Sequence, residues 1–223
     1  VKDAALDETL RARFGDTLEA AARCELFAWR TTAQGRLAEI IVLDQFSRNV
    51  YRDTPRAFAQ DALALVLAQE LVASTQDRSL PEAQRVFAYM PYMHSESALV
   101  HAQAVELFTQ LGNERNLDFE MRHKAIIDRF GRYPHRNAIL GRTSSAEDLT
   151  FLSEPGSSFL ALGFVFATLF VATRSYFTGA RGQFDTQAPC PVKLSPMRPS
   201  EALSQHRDAV CLAAARYRVV NPR

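Results

Sequence analysis

Apolar residues recur along this chain at three- and four-residue intervals. No run alternates at the two-residue period of a half-buried strand bounded by hairpin turns. Leu6, Leu10, Phe14, Leu18 and Ala22 lie about one helical turn apart, and Leu37, Ile40 and Ile41 set a second stripe. A stripe of that period occupies one side of a helix and has to be buried against other helices. The segments are short to medium in length and closely connected, as an all-helical array requires. The pattern therefore predicts an all-α fold.

The first stripe continues to Phe27 and Trp29 with an interruption or kink expected near Gly15, and the second runs to about Val50. Asp53-Thr54-Pro55 supplies an N-cap and a proline at the first helical position for a third helix through Phe58, Leu63, Leu67 and Leu71. Ser79-Leu80-Pro81-Glu82 reads as a capping box for a fourth, expected to end around Met90-Pro91 because proline disfavours helical geometry in the residue before it. A fifth helix carries Leu99, Val105 and Phe108 and stops at Gly112-Asn113. A sixth covers about Asn116 to Phe130, and Ser144-Ser145-Ala146-Glu147 caps a seventh up to Leu152.

Reactive side chains concentrate between Ile126 and Arg142, where a helix is broken at Gly131 and Pro134 and a polar loop offers Arg129, Arg132, His135, Arg136 and Asn137. Seven residues of this stretch, Ile126 to Arg132, align with Val42 to Arg48 at an offset of 84, and Arg136 corresponds to Arg52. Asp44 with Arg48, and Asp128 with Arg132, each stand four residues apart, so each pair is expected to form an ion pair on one helix face. Matching helices in an array present matching faces, so the Asp44 and Asp128 helices are expected to lie close together.

Composition narrows the function. Residues 1–159 carry 18 Lys plus Arg against 22 Asp plus Glu, and residues 160–223 carry 8 against 3, giving −4 and +5. An acidic body argues against nucleic acid, whose binding depends on clustered cations neutralising phosphates. The three cysteines, Cys24, Cys190 and Cys211, are widely spaced and no secretory signal opens the chain, which fits a reducing cytoplasmic setting. The helical pattern is already under way at Leu6, so a start upstream of Val1 is expected. There is no P-loop, dinucleotide fingerprint or nucleophile elbow, and no cofactor is predicted.

The motifs Leu43-Asp44-Gln45-Phe46-Ser47-Arg48-Asn49, Met93-His94-Ser95-Glu96 and Arg129 to Asn137 resemble an uncharacterised, largely bacterial family, domain of unknown function 924. The resemblance runs from about Lys2 to Phe159. It implies a TPR-like antiparallel helical array and brings no established activity. Members usually begin with an extra aromatic-rich segment and have proline where this chain has Ser47, which bears on the turn after Phe46. They generally end near Glu154 to Phe159, leaving residues 160–223 as an atypical tail.

From Pro155 to Thr173 no residue is charged, and 159–173 is almost wholly apolar, enough to make a membrane-associated arrangement the alternative to a cytoplasmic one. The remainder is basic and rich in Pro and Arg, with one further helical pattern from Pro199 to Tyr217. The tail is expected to be dispensable for folding of 1–159.

Two functions follow from the polar motifs. The first is a binding module for a peptide, protein or small anionic ligand, in a groove lined by the Asp44, His94 and His135 motifs. Its ligand-binding set is Asp44, Gln45, Arg48, Asn49, Asp128, Arg132, His135, Arg136 and Asn137, because guanidinium groups offer planar multi-donor contacts to carboxylate or phosphate. The alternative is a metal-independent or metal-assisted enzyme with His94, Glu96 and His135 as catalytic candidates. The His-x-Glu-x4-His spacing of His94, Glu96 and His101 is not that of the zinc peptidases, and no metal is predicted.

Overall fold

A computed structural model of the chain describes residues 3–155, 157 and 206–210, and every regular element among them is helical. Helix α1 spans Ala4–Ala22, with the Asp3 side chain accepting from the Leu6 amide at 3.0 Å as its N-cap. Leu6, Leu10, Phe14 and Leu18 are buried, as their spacing requires. The helix is continuous through Gly15, so the expected interruption does not form. The anchored turns on either side hold it, outweighing a glycine cost of about 1 kcal/mol. Nor does α1 reach Trp29. It ends before Cys24, which adopts φ 60°, and a separate 3-10 turn at Phe27–Thr31 buries Trp29 while leaving Phe27 exposed.

Helix α2, Ala33–Ile41, a π-helical turn, Val42–Phe46, and helix α3, Ser47–Val50, follow without a break. The helical path therefore continues past Phe46 through Ser47. A π turn inserts one residue into the helical ladder, and here Val42, Leu43, Asp44, Gln45 and Phe46 are all buried. This is how an acid enters the core of an otherwise apolar segment.

Two expected helix starts are corrected. Thr54 does not cap an α-helix; its hydroxyl donates to the Tyr51 carbonyl at 2.7 Å, Pro55 opens a 3-10 turn to Ala57, and α4 begins later, at Asp61–Ala73. Ser79 likewise forms no capping box, since its hydroxyl donates to Gln76 O at 2.7 Å and Pro81 sits at the N-cap of α5, Glu82–Met93. Pro91 lies inside α5 rather than ending it. Burial of Tyr92 and Met93 outweighs the backbone hydrogen bond that proline removes in the last turn.

The remaining elements match their signals. Helix α6, Ala98–Leu111, ends at Gly112 with φ 77°, and α7, Glu114–Phe130, is capped by Asn113 and ends at Gly131 with φ 66°. A 3-10 turn covers Pro134–Arg136, and α8, Ala146–Leu152, has Ser145 as N-cap with Asp148 completing the capping box.

Helix α6 packs between α5 and α7, α2 lies against α4 and α5, and α1 covers the π turn and α3. Leu37, Ile40, Ile41, Leu43, Leu71, Phe87 and Phe108 fill the centre. Ile126, Ile127 and Tyr133 form a smaller cluster with Phe130 and Phe151. The C-terminal end of α5, the π turn, the start of α4 and the 134–136 turn all bring polar groups to one region.

The apolar segment 159–173 lies outside the described residues, and among those described no helix is long and apolar enough to cross a membrane. Residues 206–210, within the expected tail, form a helical turn on α1. His206 Nδ1 is 2.6 Å from Thr17 Oγ1, its ring centroid is 5.1 Å from that of Phe14, and Val210 joins the core. This part of the tail thus packs on the body.

Two substitutions test these contacts. A Cβ on Gly35 would stand 2.0 Å from the Trp29 carbonyl oxygen. Gly35→Ala is therefore expected to destabilise the chain by roughly 1–3 kcal/mol in urea unfolding, although alanine is the better helix former. Val210→Asp places a charge in the core and should lower the melting temperature; an unchanged melt would mean that 206–210 contributes nothing to the fold.

Candidate functional site

The site begins with Asp44, 1% exposed in the π turn. A carboxylate taken out of water needs partners, and Asp44 has three. His94 Nδ1 lies 2.8 Å and Arg48 Nη1 2.9 Å from its Oδ1, while the Gln45 amide donates to Oδ2. Burial alone would raise its pKa; Arg48, His94 and Gln45 outweigh that and hold the group well below the ordinary carboxylate range.

His94 caps the C-terminus of α5, which fixes its place beside the π turn. Burial, assisted by Arg48, keeps its pKa low against the pull of Asp44, so the ring is neutral. An ionised Asp44 can only accept, so the hydrogen is on Nδ1 and Nε2 keeps its lone pair.

Arg48 continues the chain of charges by donating to Asp61 Oδ2 at 2.9 Å, and Arg136 donates to the same oxygen at 3.2 Å. One carboxylate oxygen thus serves two guanidiniums. Arg136 Nη2 donates to the His94 carbonyl at 3.0 Å, tying the 134–136 turn to the end of α5. Phe58 stands against both arginines, with its ring centroid 5.8 Å from the Arg48 and 4.7 Å from the Arg136 guanidinium carbon. Burial and then Arg48 push the Arg136 pKa down. Buried atoms without a hydrogen-bond partner gather here: Arg136 Nε, Asp61 Oδ1 and His135 Nδ1.

A second network backs the first. His101 Nε2 stands 2.9 Å from the Ser95 carbonyl, which can only accept, so Nε2 carries a hydrogen. A further proton is shared between His101 Nδ1 and Glu120 Oε1, 2.6 Å apart. The Tyr133 hydroxyl donates to the Met93 carbonyl at 2.5 Å, and the rings of His123 and His135 lie 5.9 and 5.5 Å from that of Tyr133.

Of the residues singled out by sequence, Asp44, Gln45, Arg48, His94 and Arg136 come together, with His135 adjacent on the Pro134–Arg136 turn. The others do not join them. Asn49 donates to Asp7 at 2.9 Å, in a network where Asp7 also pairs with Arg52. Arg132 and Asn137 both reach Asp148, which caps α8. Asp128 is exposed and pairs with Lys124, so the expected Asp128–Arg132 pair is absent. The repeat fails geometrically at Gly131, whose left-handed conformation ends α7 before Arg132, whereas Ser47 continues the helix to Arg48. Glu96 is held by Arg142 at 2.7 Å and by the Tyr133 amide at 2.9 Å.

Asp61 and Phe58 were not foreseen. Neither belongs to a motif, and only the fold places the start of α4 beside the π turn. Among the described residues, no three His, Cys, Asp or Glu side chains are grouped to hold a metal.

The histidines set an acid limit. His94, His123 and His135 all have folded pKa values below the ordinary 6.5, about 3 for His123 and about 4 for His135, with burial the leading cause. Their protonation therefore favours the unfolded chain, and the stability they allow is present above 6.5 and lost as pH falls below it. Glu120, raised mainly by burial, has the opposite sign and offsets part of this. Between pH 6.5 and 5, urea unfolding should show stability falling, with a limiting slope of about 1.4 kcal/mol per pH unit for each histidine; flat stability across that range would contradict the neutral assignments.

A solved structure of a protein of unknown function from Agrobacterium tumefaciens is 40% identical, with a TM-score of 0.66 over 69% of this chain and 86% of that one. No curated protein matches. Residues 1–156 match the model of DUF924, described as a bacterial protein of unknown function, and the chain belongs to that family.

Proposed function

We propose that this domain is a binding module for a small ligand or peptide group carrying an anionic centre, held at Arg136 and Arg48. The supporting observation is that Arg136 is buried with Nε unpartnered while sharing its one carboxylate, Asp61, with Arg48. An anion there would accept the unpaired Nε–H and relieve the repulsion between two cations. Each terminal nitrogen of Arg136 already gives one of its two hydrogens to the protein, whereas Nε gives none, so Nε–H is the donor the ligand has to meet.

A second reading rests on His94. Its Nδ1 is fixed by Asp44, leaving Nε2 as a base, which is the arrangement of an orienting carboxylate and an acid–base histidine. His94→Gln separates the two readings, since a binding module keeps its ligand and an enzyme loses turnover while still binding.

The first reading is tested by titrating the full chain with acetate and with inorganic phosphate, following the Arg side-chain N–H signals by nuclear magnetic resonance. Binding should weaken as salt rises and be lost in Arg136→Lys, which keeps the charge but lacks Nε in that position. Binding of either anion that is indifferent to both would refute the assignment to Arg136.

A further inference from the structure

We propose that the anionic group recognised by Arg136 is the carboxylate of a small zwitterion of the α-amino acid type, with its ammonium group received by Asp61. This rests on the binding reading above and adds the class of ligand.

The charge balance points to it. Arg48 and Arg136 contribute +2, and Asp44 and Asp61 contribute −2, all linked by ion pairs at 2.9 to 3.2 Å. Glu96 is already matched by Arg142. His94 and His135 are neutral at neutral pH, so the cluster sums to zero before any ligand arrives. A bare anion would leave a buried region with an excess negative charge, and a bare cation would leave the reverse. Either excess is costly where water is scarce. A ligand of no net charge that carries both signs avoids the penalty.

The unpartnered atoms make the same demand independently. Arg136 Nε is a donor without an acceptor, and Asp61 Oδ1 is an acceptor without a donor. They belong to two side chains joined by the 3.2 Å Arg136–Asp61 contact. A carboxylate alone satisfies the first and leaves the second, and an amine alone does the opposite. A carboxylate and an ammonium on one carbon meet both, each through a charge-assisted hydrogen bond. His135 Nδ1, also unpartnered, can meet either kind of group as a neutral imidazole. Arg48 and Asp61 keep 19% and 21% of their side chains accessible. Phe58, packed on both guanidiniums, offers an apolar surface to a short side chain.

The test compares three probes on the unaltered, isotope-labelled full chain: L-alanine, propionate, which lacks the ammonium, and ethylamine, which lacks the carboxylate. L-alanine should shift the Arg136 Nε–H signal and bind at least about tenfold more tightly than either of the others, as one charge-assisted hydrogen bond is worth. Added salt should weaken propionate more than L-alanine. Propionate binding as tightly as L-alanine would overturn the zwitterion assignment and leave the anion reading standing. Ethylamine binding most tightly, or no probe moving the Arg136 signal, would overturn both. Asp61→Asn should reduce L-alanine to the level of propionate, and the three-probe comparison decides the matter even if that variant does not fold.

Discussion

The ionised carboxylate of Asp44 inside a helical core is the constraint on which the rest of this structure turns. A lone buried charge is costly enough that the chain has to surround it, and the surrounding groups come from one neighbouring turn and two other helices: Arg48 on α3, His94 at the end of α5, and Asp61 at the start of α4 through Arg48. Removing one partner from such a set typically costs roughly 3–5 kcal/mol. The relative placement of these elements is therefore fixed by charge as much as by apolar packing.

The same rule explains the other buried acids and shows why this one is different. Glu39, 0% exposed, receives both prongs of Arg30 at 2.7 Å, and Asp7 receives Arg52 and Asn49. Asp77 accepts the Tyr89 hydroxyl at 2.6 Å. Those sets hold elements together in pairs. The Asp44 set instead runs on through Arg48 and Asp61 to Arg136, where a donor and an acceptor are left over. Of the nine buried side-chain atoms without a partner among the described residues, three, Arg136 Nε, Asp61 Oδ1 and His135 Nδ1, fall at this end of the set, and that gathering is the physical reason for placing function there.

Much of the helical architecture was legible in the sequence because its signals are local. Gly112 and Gly131 ended helices where only glycine takes a left-handed conformation without cost, and Ser145 capped the last one. Local signals misled where a tertiary contact competed with them. Pro91 should have ended α5, but buried Tyr92 and Met93 carried the helix past it. Ser79 and Thr54 had the chemistry of caps and spent their hydroxyls on nearby carbonyls.

By itself the sequence determined the all-helical class and the identity of most of the polar residues, since periodicity and residue type depend only on neighbours along the chain. Tertiary structure alone decided which of those residues share a site. Asp44 and Asp128 stand at matching positions of similar heptapeptides, yet one is buried beside Arg48 and the other faces water, and a single left-handed glycine turns Arg132 away towards Asp148. Asp61 carried no motif and became the centre of the arginine pair because α4 packs beside the π turn. Charge pairing acts through space over a few ångströms, and spacing along the chain does not report it once a helix has ended.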